Sequence, residues 1–319
     1  MRSCSSVGKK AVYSITITML AFGVGLAGDD TLRVAMQDSV AMRIDSPSDS
    51  QSLISTPTPK LKWYTMFERI PGDWATWWNT TFREDKIPAM LAVTALTAAT
   101  IVTDQPTWDV SDYWYKRSRV VKDVSDVFVY LGDGKPQFGL AAAYGLYGWL
   151  ANDERALLTA SQITEVILAC GTVIQVMKHI TGRESPFVST RTNGRWVFFP
   201  NQIEYHKKVP HYDAYPSGHI ATALATLTVV LENYPELKPW LQPIGYFVVG
   251  MIGVGMMTSG IHWWSDYPLG LVLGYQFGMI ASHPEGLEVA KSPDDATPKL
   301  SLSPSISPIS KGLRVSLQF

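Results

Sequence analysis

Three short stretches decide how this chain folds: Lys178–Pro186 (KHITGRESP), Tyr215–His219 (YPSGH) and His262–Asp266 (HWWSD). Each adjoins an apolar run of helical length, so helices are expected to position all three. In the last stretch His262 and Asp266 are four residues apart, a spacing that places both side chains on one face of a helix. A carboxylate so placed can keep one imidazole nitrogen protonated and leave the other free to attack.

The other two stretches supply groups that bind anions. His219 follows Ser217 and Gly218, where a small, flexible backbone at the start of a helix can turn its amides toward an anion. Lys178 and Arg183 add cations suited to phosphate oxygens. Together with the third stretch, these residues predict a phosphoryl-transfer site.

In this order the stretches resemble the motifs of the type 2 phosphatidic acid phosphatase (PAP2) superfamily, which includes class A acid phosphatases and vanadium haloperoxidases. The family pattern is K-x6-R-P, then P-S-G-H, then S-R-x5-H-x3-D. The matching residues are Lys178, Pro186, Pro216, Ser217, Gly218, His219, His262 and Asp266. Ser185 replaces the arginine of the first motif, and Gly255 and Met256 replace the serine and arginine of the third. The resemblance covers about residues 63–282 and implies an all-α fold, a PAP2-type bundle of about six core helices.

The resemblance also implies a role for each matching residue. His262 becomes the nucleophile, Asp266 its orienting partner, and His219 the general acid that protonates the leaving alkoxide. The implied phosphate-binding residues are Lys178, Arg183, Ser217 and Gly218. No metal enters this scheme, and the sequence offers no ligand cluster with convincing metal spacing. We therefore expect no cofactor, with vanadate binding as a transition-state analogue, and a phosphorylated lipid or a small phosphate ester as partner.

The two absent arginines leave the competence of the site open, because a guanidinium clamp stabilises a transferring phosphoryl group strongly. Arg183 lies two residues before Ser185, and four further cations lie in the loop between the first two motifs and could compensate. These cations are Arg191, Arg195, Lys207 and Lys208.

Four classes of function follow. The leading one is a metal-independent phosphatase that hydrolyses phosphate monoesters, or lipid or isoprenoid (di)phosphates, through a phosphohistidine intermediate. The alternatives are a vanadate-dependent haloperoxidase, a catalytically weak or silent binding protein on the PAP2 fold, and a transporter-like membrane protein.

Composition excludes other classes. The 319 residues are 46% hydrophobic and 17% charged. A net charge of -1 provides no field for nucleic acid, and no basic stripe carries interleaved aromatics. The two cysteines, Cys4 and Cys170, give no disulfide framework.

The chain divides into four expected regions. Residues 1–27 have the charged start, apolar centre and small-residue end of a secretory signal peptide. Residues 28–62 are rich in Ser, Thr, Asp and Pro and predict a flexible linker. Residues 63–283 form the phosphatase-like domain, and residues 284–319 form a Ser/Pro-rich tail that ends in one alternating strand. The signal predicts an exported protein of the periplasm or cell envelope.

Six apolar stretches have helical length: Ile87–Thr103, Gln137–Asn152, Leu157–Met177, His219–Leu231, Pro243–Ser259 and Asp266–Ser282. Several are shorter than the roughly 20 residues that cross a bilayer. The sequence therefore favours a periplasmic bundle with membrane association, and an integral inner-membrane protein is the alternative.

Overall fold

The computed structural model describes Lys62, residues 64–283, residues 299–306 and residues 311–318. Over these residues the helices are α1 (Thr65–Thr81), α2 (Ile87–Arg117), α3 (Arg119–Gly132), α4 (Gly134–Ala151), α5 (Glu154–Thr181), α6 (Gln202–Lys207), α7 (Gly218–Asn233), α8 (Lys238–Thr258) and α9 (Tyr267–Ser282). The strands are β1 (Lys299–Ile306) and β2 (Lys311–Gln318). The predicted signal peptide 1–27 and nearly all of the linker 28–62 lie outside the described residues.

The centre of the bundle consists of α5, α7 and α9. Ala169, Cys170 and Ile174 of α5 form a buried cluster with Ala221 of α7 and Phe277 of α9. Burying such apolar surface contributes roughly 25 cal/mol per Å². Because the first two motifs end α5 and begin α7, this cluster holds them side by side.

A stripe of glycines lets α7 and α9 pack against each other closely. A Cβ on Gly270 would lie 2.7 Å from the carbonyl oxygen of Ser217, and one on Gly274 would collide with the carbonyl oxygen of Ala221. A Cβ on Gly278 would lie 2.6 Å from the Cβ of Thr228. The two helix backbones are therefore in direct contact.

Capping fixes where α5 begins and ends. Asp153 accepts a hydrogen bond from the Ala156 amide at its start. At its end Gly182 has φ +51°, a left-handed conformation that glycine adopts without strain. A Cβ there would collide with the carbonyl of Val197, so the close approach also requires glycine. This end places Lys178 in the last helical turn.

All six predicted stretches fall on helices, as expected for an all-α bundle. The structure adds α1, α3 and the short α6. The sequence of α3 is not a continuous apolar run, because it contains Arg119, Lys122, Asp123 and Asp126. Its apolar residues instead recur with helical spacing, which is the signal that identifies an amphipathic helix.

Three helical segments are long and apolar enough to cross a membrane, judged by length and composition: Glu84–Arg117, Glu154–Thr181 and Pro235–Thr258. These three segments are longer than the apolar stretches within them, some of which were predicted to be too short to span a membrane. The helices continue beyond the apolar runs, since Pro106 and Pro243 lie inside α2 and α8 without ending them. Large hydrophobic side chains are exposed on them, among them Leu91, Leu96, Val102, Val176, Ile244 and Phe247.

The described part of the tail is an antiparallel hairpin. The expected alternating strand lies in β2, and β1 adds a second strand that the sequence reading did not include. The register pairs Leu300 with Leu317 and Leu302 with Val315.

Candidate active site

The fold brings the two motif histidines into contact. His219 lies in the first turn of α7, and His262 lies in the connection between α8 and α9. Their Nδ1 and Nε2 atoms, respectively, are 3.3 Å apart. His262 is only 1% exposed, although it is 43 residues from His219 along the chain. The predicted nucleophile and the predicted general acid therefore form one pair.

The tautomer of His262 follows from its hydrogen bonds. Its Nδ1 lies 2.7 Å from the carbonyl oxygen of Ala214, which can only accept, so Nδ1 carries the proton. Nε2 then presents its lone pair toward His219, whose Nδ1–H donates to it. A lone pair on Nε2 is what a nucleophilic imidazole requires.

Asp266, the predicted orienting partner of His262, lies near its ring but is not its closest hydrogen-bond partner. Its Oδ2 is 3.4 Å from Nδ1 of His262, whereas the carbonyl of Ala214 is the direct partner of that nitrogen. Oδ2 accepts a closer bond, 2.7 Å, from the backbone amide of Trp263. Asp266 thus holds the turn that follows His262, and the sequence reading missed Ala214 because a backbone carbonyl leaves no signature in side-chain motifs.

Arg183 was predicted to bind phosphate, and its placement contradicts this. It is fully buried, with Nη1 bonded to Asp266 (2.5 Å) and to Ser265 (2.7 Å). Nη2 bonds to Asp104 (2.6 Å) and to the carbonyl of Asn193 (2.9 Å). Because both terminal nitrogens are engaged by protein oxygens, this guanidinium cannot also clamp a phosphoryl group.

An anion site remains at the start of α7. No side chain caps the first amides of this helix, which leaves backbone donors available. Ser217 is fully buried, and its hydroxyl has no hydrogen-bond partner among the described residues. Lys178 is 5% exposed, with Nζ 3.7 Å from Asp213. These groups, together with Gly218, are the predicted phosphate-binding residues other than Arg183, and they lie together.

A groove of about 900 Å³ opens onto this site. Lys178, Gly218, His219 and Thr222 line its polar part. Its remaining wall is largely apolar and includes Ile167, Leu168, Ile174, Val176, Ile180 and Phe199. The groove therefore joins a cationic end to a hydrocarbon-like wall.

The described residues offer no arginine in place of the two that the motifs lack. Met256 is fully buried and packs with Ile220 and Ile252, and Ser185 donates its amide to the carbonyl of Pro210. Of the loop cations, Arg195 pairs with Glu184 at 3.4 Å and Lys207 with Glu204 at 3.4 Å. Arg191 borders a separate small cavity. Among the groove-lining residues that the structure describes, Lys178 is the one Lys or Arg side chain.

Burial controls the protonation of the site. Desolvation, followed by the charge of Lys178, lowers the pKa of His262 to about 3. Desolvation, with smaller contributions from His262 and Lys178, lowers the pKa of His219 to about 3. Burial raises the pKa of Asp266 to about 6 against the opposing effect of Arg183. Both imidazoles are therefore neutral in the empty site.

We expect His219 and His262 to remain neutral as the pH falls through 6.5, the ordinary histidine pKa. A lowered pKa means that the neutral form persists to more acid pH, down to about 3. The measurement is ¹⁵N NMR of labelled histidine rings between pH 7.5 and 4.5, with His219→Ala and His262→Ala assigning the signals. Ring signals from either residue that titrate near 6.5 contradict the expectation.

The sequence reading also missed Asp104 and Glu184. Asp104 lies in α2 and is 1% exposed, and its carboxylate binds both Arg183 and Ser265. Glu184 is fully buried and accepts bonds from the amides of Thr190 and Arg195, so it organises the loop after the first motif. The available signal for Asp104 was its position directly after the apolar run Ile87–Thr103, inside the same helix. No group of three or more potential metal-ligating side chains occurs within the described part of the chain.

The two histidines, the N-terminus of α7 and the buried Lys178 form an arrangement suited to phosphoryl transfer. Residues 159–284 match the model of the PAP2 superfamily, so this segment of the chain is similar to that superfamily. The match confirms the predicted resemblance. The wider domain bounds, 63–283, stay a prediction.

A curated relative is the lipid A 1-phosphatase of Porphyromonas gingivalis, which is 36% identical over 66 residues. The match covers 21% of this chain and 15% of that protein. Among solved structures, LpxE of Aquifex aeolicus gives a TM-score of 0.40 at 19% identity, covering 55% of this chain and 91% of that one. The PAP2-type phosphatidylglycerolphosphate phosphatase of Bacillus subtilis gives 0.39 at 14% identity, covering 69% and 94%.

Proposed function

We propose that this protein is a phosphatase that hydrolyses a lipid phosphate monoester through a phosphohistidine at His262. The observation that carries the proposal is the contact between Nε2 of His262 and Nδ1 of His219, at the uncapped N-terminus of α7. The match of residues 159–284 to the PAP2 superfamily model and the similarity to a lipid A 1-phosphatase support the same chemistry.

In the first step the lone pair on Nε2 of His262 attacks phosphorus, and the bond from phosphorus to the ester oxygen breaks. The leaving oxygen takes that electron pair and receives a proton from His219. Binding of an anionic phosphate beside the two imidazoles favours the protonated form of His219, which burial otherwise disfavours. The carbonyl of Ala214, bonded to Nδ1–H, stabilises the positive ring of the phosphohistidine.

In the second step His219, now neutral, removes a proton from water. The water oxygen attacks phosphorus, and the bond from phosphorus to Nε2 breaks, which releases inorganic phosphate and regenerates His262. Lys178, the hydroxyl of Ser217 and the first amides of α7 hold the phosphoryl oxygens throughout. These groups supply the electrostatic stabilisation, and we infer that turnover needs no added metal or cofactor.

The shape of the groove supports a lipid substrate. Its polar part holds Lys178 and His219, and its apolar wall extends along α5. A phosphate that occupies the polar part leaves its attached chain against Ile174, Val176 and Ile180, where burial of methylene groups contributes about 0.8 kcal/mol each.

We also propose that the protein is embedded in a membrane and that its active site lies outside the cytoplasm. The three long apolar segments and their exposed hydrophobic side chains support membrane embedding. The signal-like pattern of residues 1–27 supports export. A lipid phosphate is then within reach of the groove without leaving the bilayer.

The test compares phosphate release from a diacyl lipid phosphate and from p-nitrophenyl phosphate, with purified protein in detergent micelles. We expect kcat/KM for the lipid to exceed that for p-nitrophenyl phosphate at least tenfold, and both rates to persist in EDTA. Intact cells should hydrolyse added p-nitrophenyl phosphate without permeabilisation. No release from either substrate contradicts the phosphatase, and loss of activity in EDTA contradicts the metal-independent scheme.

Val176→Gln tests the groove itself. The side chain lines the apolar wall and is 54% exposed, so the change adds polarity with little loss of packing. The ratio of the lipid rate to the p-nitrophenyl phosphate rate should fall about tenfold. Val120→Gln, at an exposed position of α3 outside the groove lining, is the matched control and should leave that ratio unchanged.

A further inference from the structure

Two separate chains of hydrogen bonds connect Arg183 to His262. The first runs through its backbone: the carbonyl of Arg183 accepts from the amide of Ala214 at 3.0 Å, and the carbonyl of Ala214 accepts from Nδ1 of His262 at 2.7 Å. The second runs through its guanidinium, which binds Asp266, and Asp266 binds the amide of Trp263. Arg183 therefore holds both the ring and the backbone that follows it.

Asp104, from a distant part of the chain, also belongs to this hydrogen-bond network. Its Oδ1 accepts from the amide of Ser265 at 3.0 Å, and its Oδ2 accepts from the hydroxyl of Ser265 and from Arg183, both at 2.6 Å. Both oxygens of this carboxylate therefore accept hydrogen bonds. Asp104 and Arg183 are nevertheless 79 residues apart in the sequence. The helix α2, one of the candidate spans, is thus tied to the turn of the active site.

The surroundings of Arg183 keep the arrangement rigid. Its Cζ lies 4.7 Å from the ring centroid of Trp196 and 5.4 Å from that of Trp263. A guanidinium between two indoles gains cation–π attraction and excludes water. Breaking one partner of such a buried pair leaves an uncompensated charge, so the network has one strongly preferred geometry.

We propose that Asp104 and Arg183 are positioning residues for the proposed phosphoryl transfer, which fix the direction of Nε2 of His262 through Ala214 on one side and through Ser265 and Asp266 on the other. The proposal rests on the function given above. Both oxygens of Asp104 and both terminal nitrogens of Arg183 are bonded to protein groups, so neither side chain contacts the substrate directly. A misdirected nucleophile should lower kcat and leave KM nearly unchanged.

The test uses Asp104→Asn and Arg183→Lys in the full chain. Asparagine keeps the size and one acceptor but loses the charge that faces Arg183, and lysine keeps the charge but cannot reach Asp104 and Asp266 together. We expect kcat to fall 10- to 100-fold in the first and at least 100-fold in the second, with KM within threefold of wild type. The double variant should lose less than the product of the two effects, because both act on one network.

Asp112→Asn is the matched control, since it makes the same substitution on α2 at a residue that pairs with Lys116. It should leave kcat unchanged. A cooperative thermal transition identifies folded variants. If Arg183→Lys does not fold, Asp104→Asn alone tests the proposal. Wild-type kcat in both variants, or a rise of KM at constant kcat, overturns the proposal.

A readout other than activity separates this proposal from the phosphatase assignment. The Nδ1–H proton of His262, bonded to Ala214, should give a resolved NMR signal in wild type and in Asp112→Asn. We expect that signal to shift or broaden in Asp104→Asn and Arg183→Lys. An inactive wild type would overturn only the phosphatase, whereas an unchanged signal in both variants overturns the positioning role.

Discussion

Replacing His262 by alanine is expected to lower kcat by about 10³-fold or more, because the variant has no atom that can accept the phosphoryl group. His219→Ala should lower kcat by about 10² to 10⁴, since the leaving oxygen then departs without a proton donor. The measurement is phosphate release in detergent micelles. Rapid acid quenching with ³²P-labelled substrate should trap labelled protein in wild type and none in His262→Ala.

His283→Ala is the matched control, because it removes an exposed histidine at the end of α9. Its kcat should equal that of wild type. Trapped label in His262→Ala, or undiminished turnover, would assign the nucleophile to another residue. Because His262 is buried and bonded to Ala214, the thermal transition of each variant must be compared with that of wild type.

The helices were predictable wherever their sequence was continuously apolar. Burial on several sides leaves no polar face, so the central helices α5, α7 and α9 appear as apolar runs. The amphipathic α3 required a periodicity test instead. The lengths of α2 and α8 were underestimated because Pro106 and Pro243 look like breakers, while the structure carries the helix through both.

The meeting of the two histidines was predictable, because the motifs fall at adjacent helix ends. The role of Arg183 was not. The local sequence shows a cation beside a phosphate-binding motif. Whether that cation is free to bind phosphate depends on its ion pairs with Asp104, 79 residues earlier, and Asp266, 83 residues later. Which carboxylates neutralise an arginine is a property of tertiary packing, and no local spacing encodes it.

Lys178→Ala is expected to lower kcat/KM by about 10² to 10³, the second large effect. Among the described groove-lining residues Lys178 is the one Lys or Arg, and the motif arginines are replaced by Ser185 and Met256. Removing this charge also leaves Asp213 unpaired beside the site. Phosphoryl oxygens would then face the amides of α7 and a carboxylate, so both binding and the transition state are weakened.

Lys238→Ala, at a partly exposed lysine that pairs with Glu232, is the matched control and should retain wild-type kcat/KM. The measurement is kcat and KM with p-nitrophenyl phosphate, together with vanadate inhibition. A Lys178→Ala variant within threefold of wild type in kcat/KM and in vanadate inhibition would show that the anion binds elsewhere.

Adding Met256→Arg to Lys178→Ala then tests whether the site lacks charge because of its substituted motifs. The end of the Met256 side chain lies 3.2 Å from the position of a Cβ on Gly132, which lines the groove, so we expect a longer side chain there to extend toward the anion. We expect a 10- to 100-fold recovery of kcat/KM, reduced by an overpacking cost of about 1–3 kcal/mol at this fully buried position. Met257→Arg, one residue further along α8 and not among the side chains nearest Gly132, should give no recovery. Equal recovery from both variants would mean that net charge, rather than the motif position, determines affinity. Recovery from Met256→Arg alone would show that a cation at this position, where the family pattern has an arginine, binds the anion.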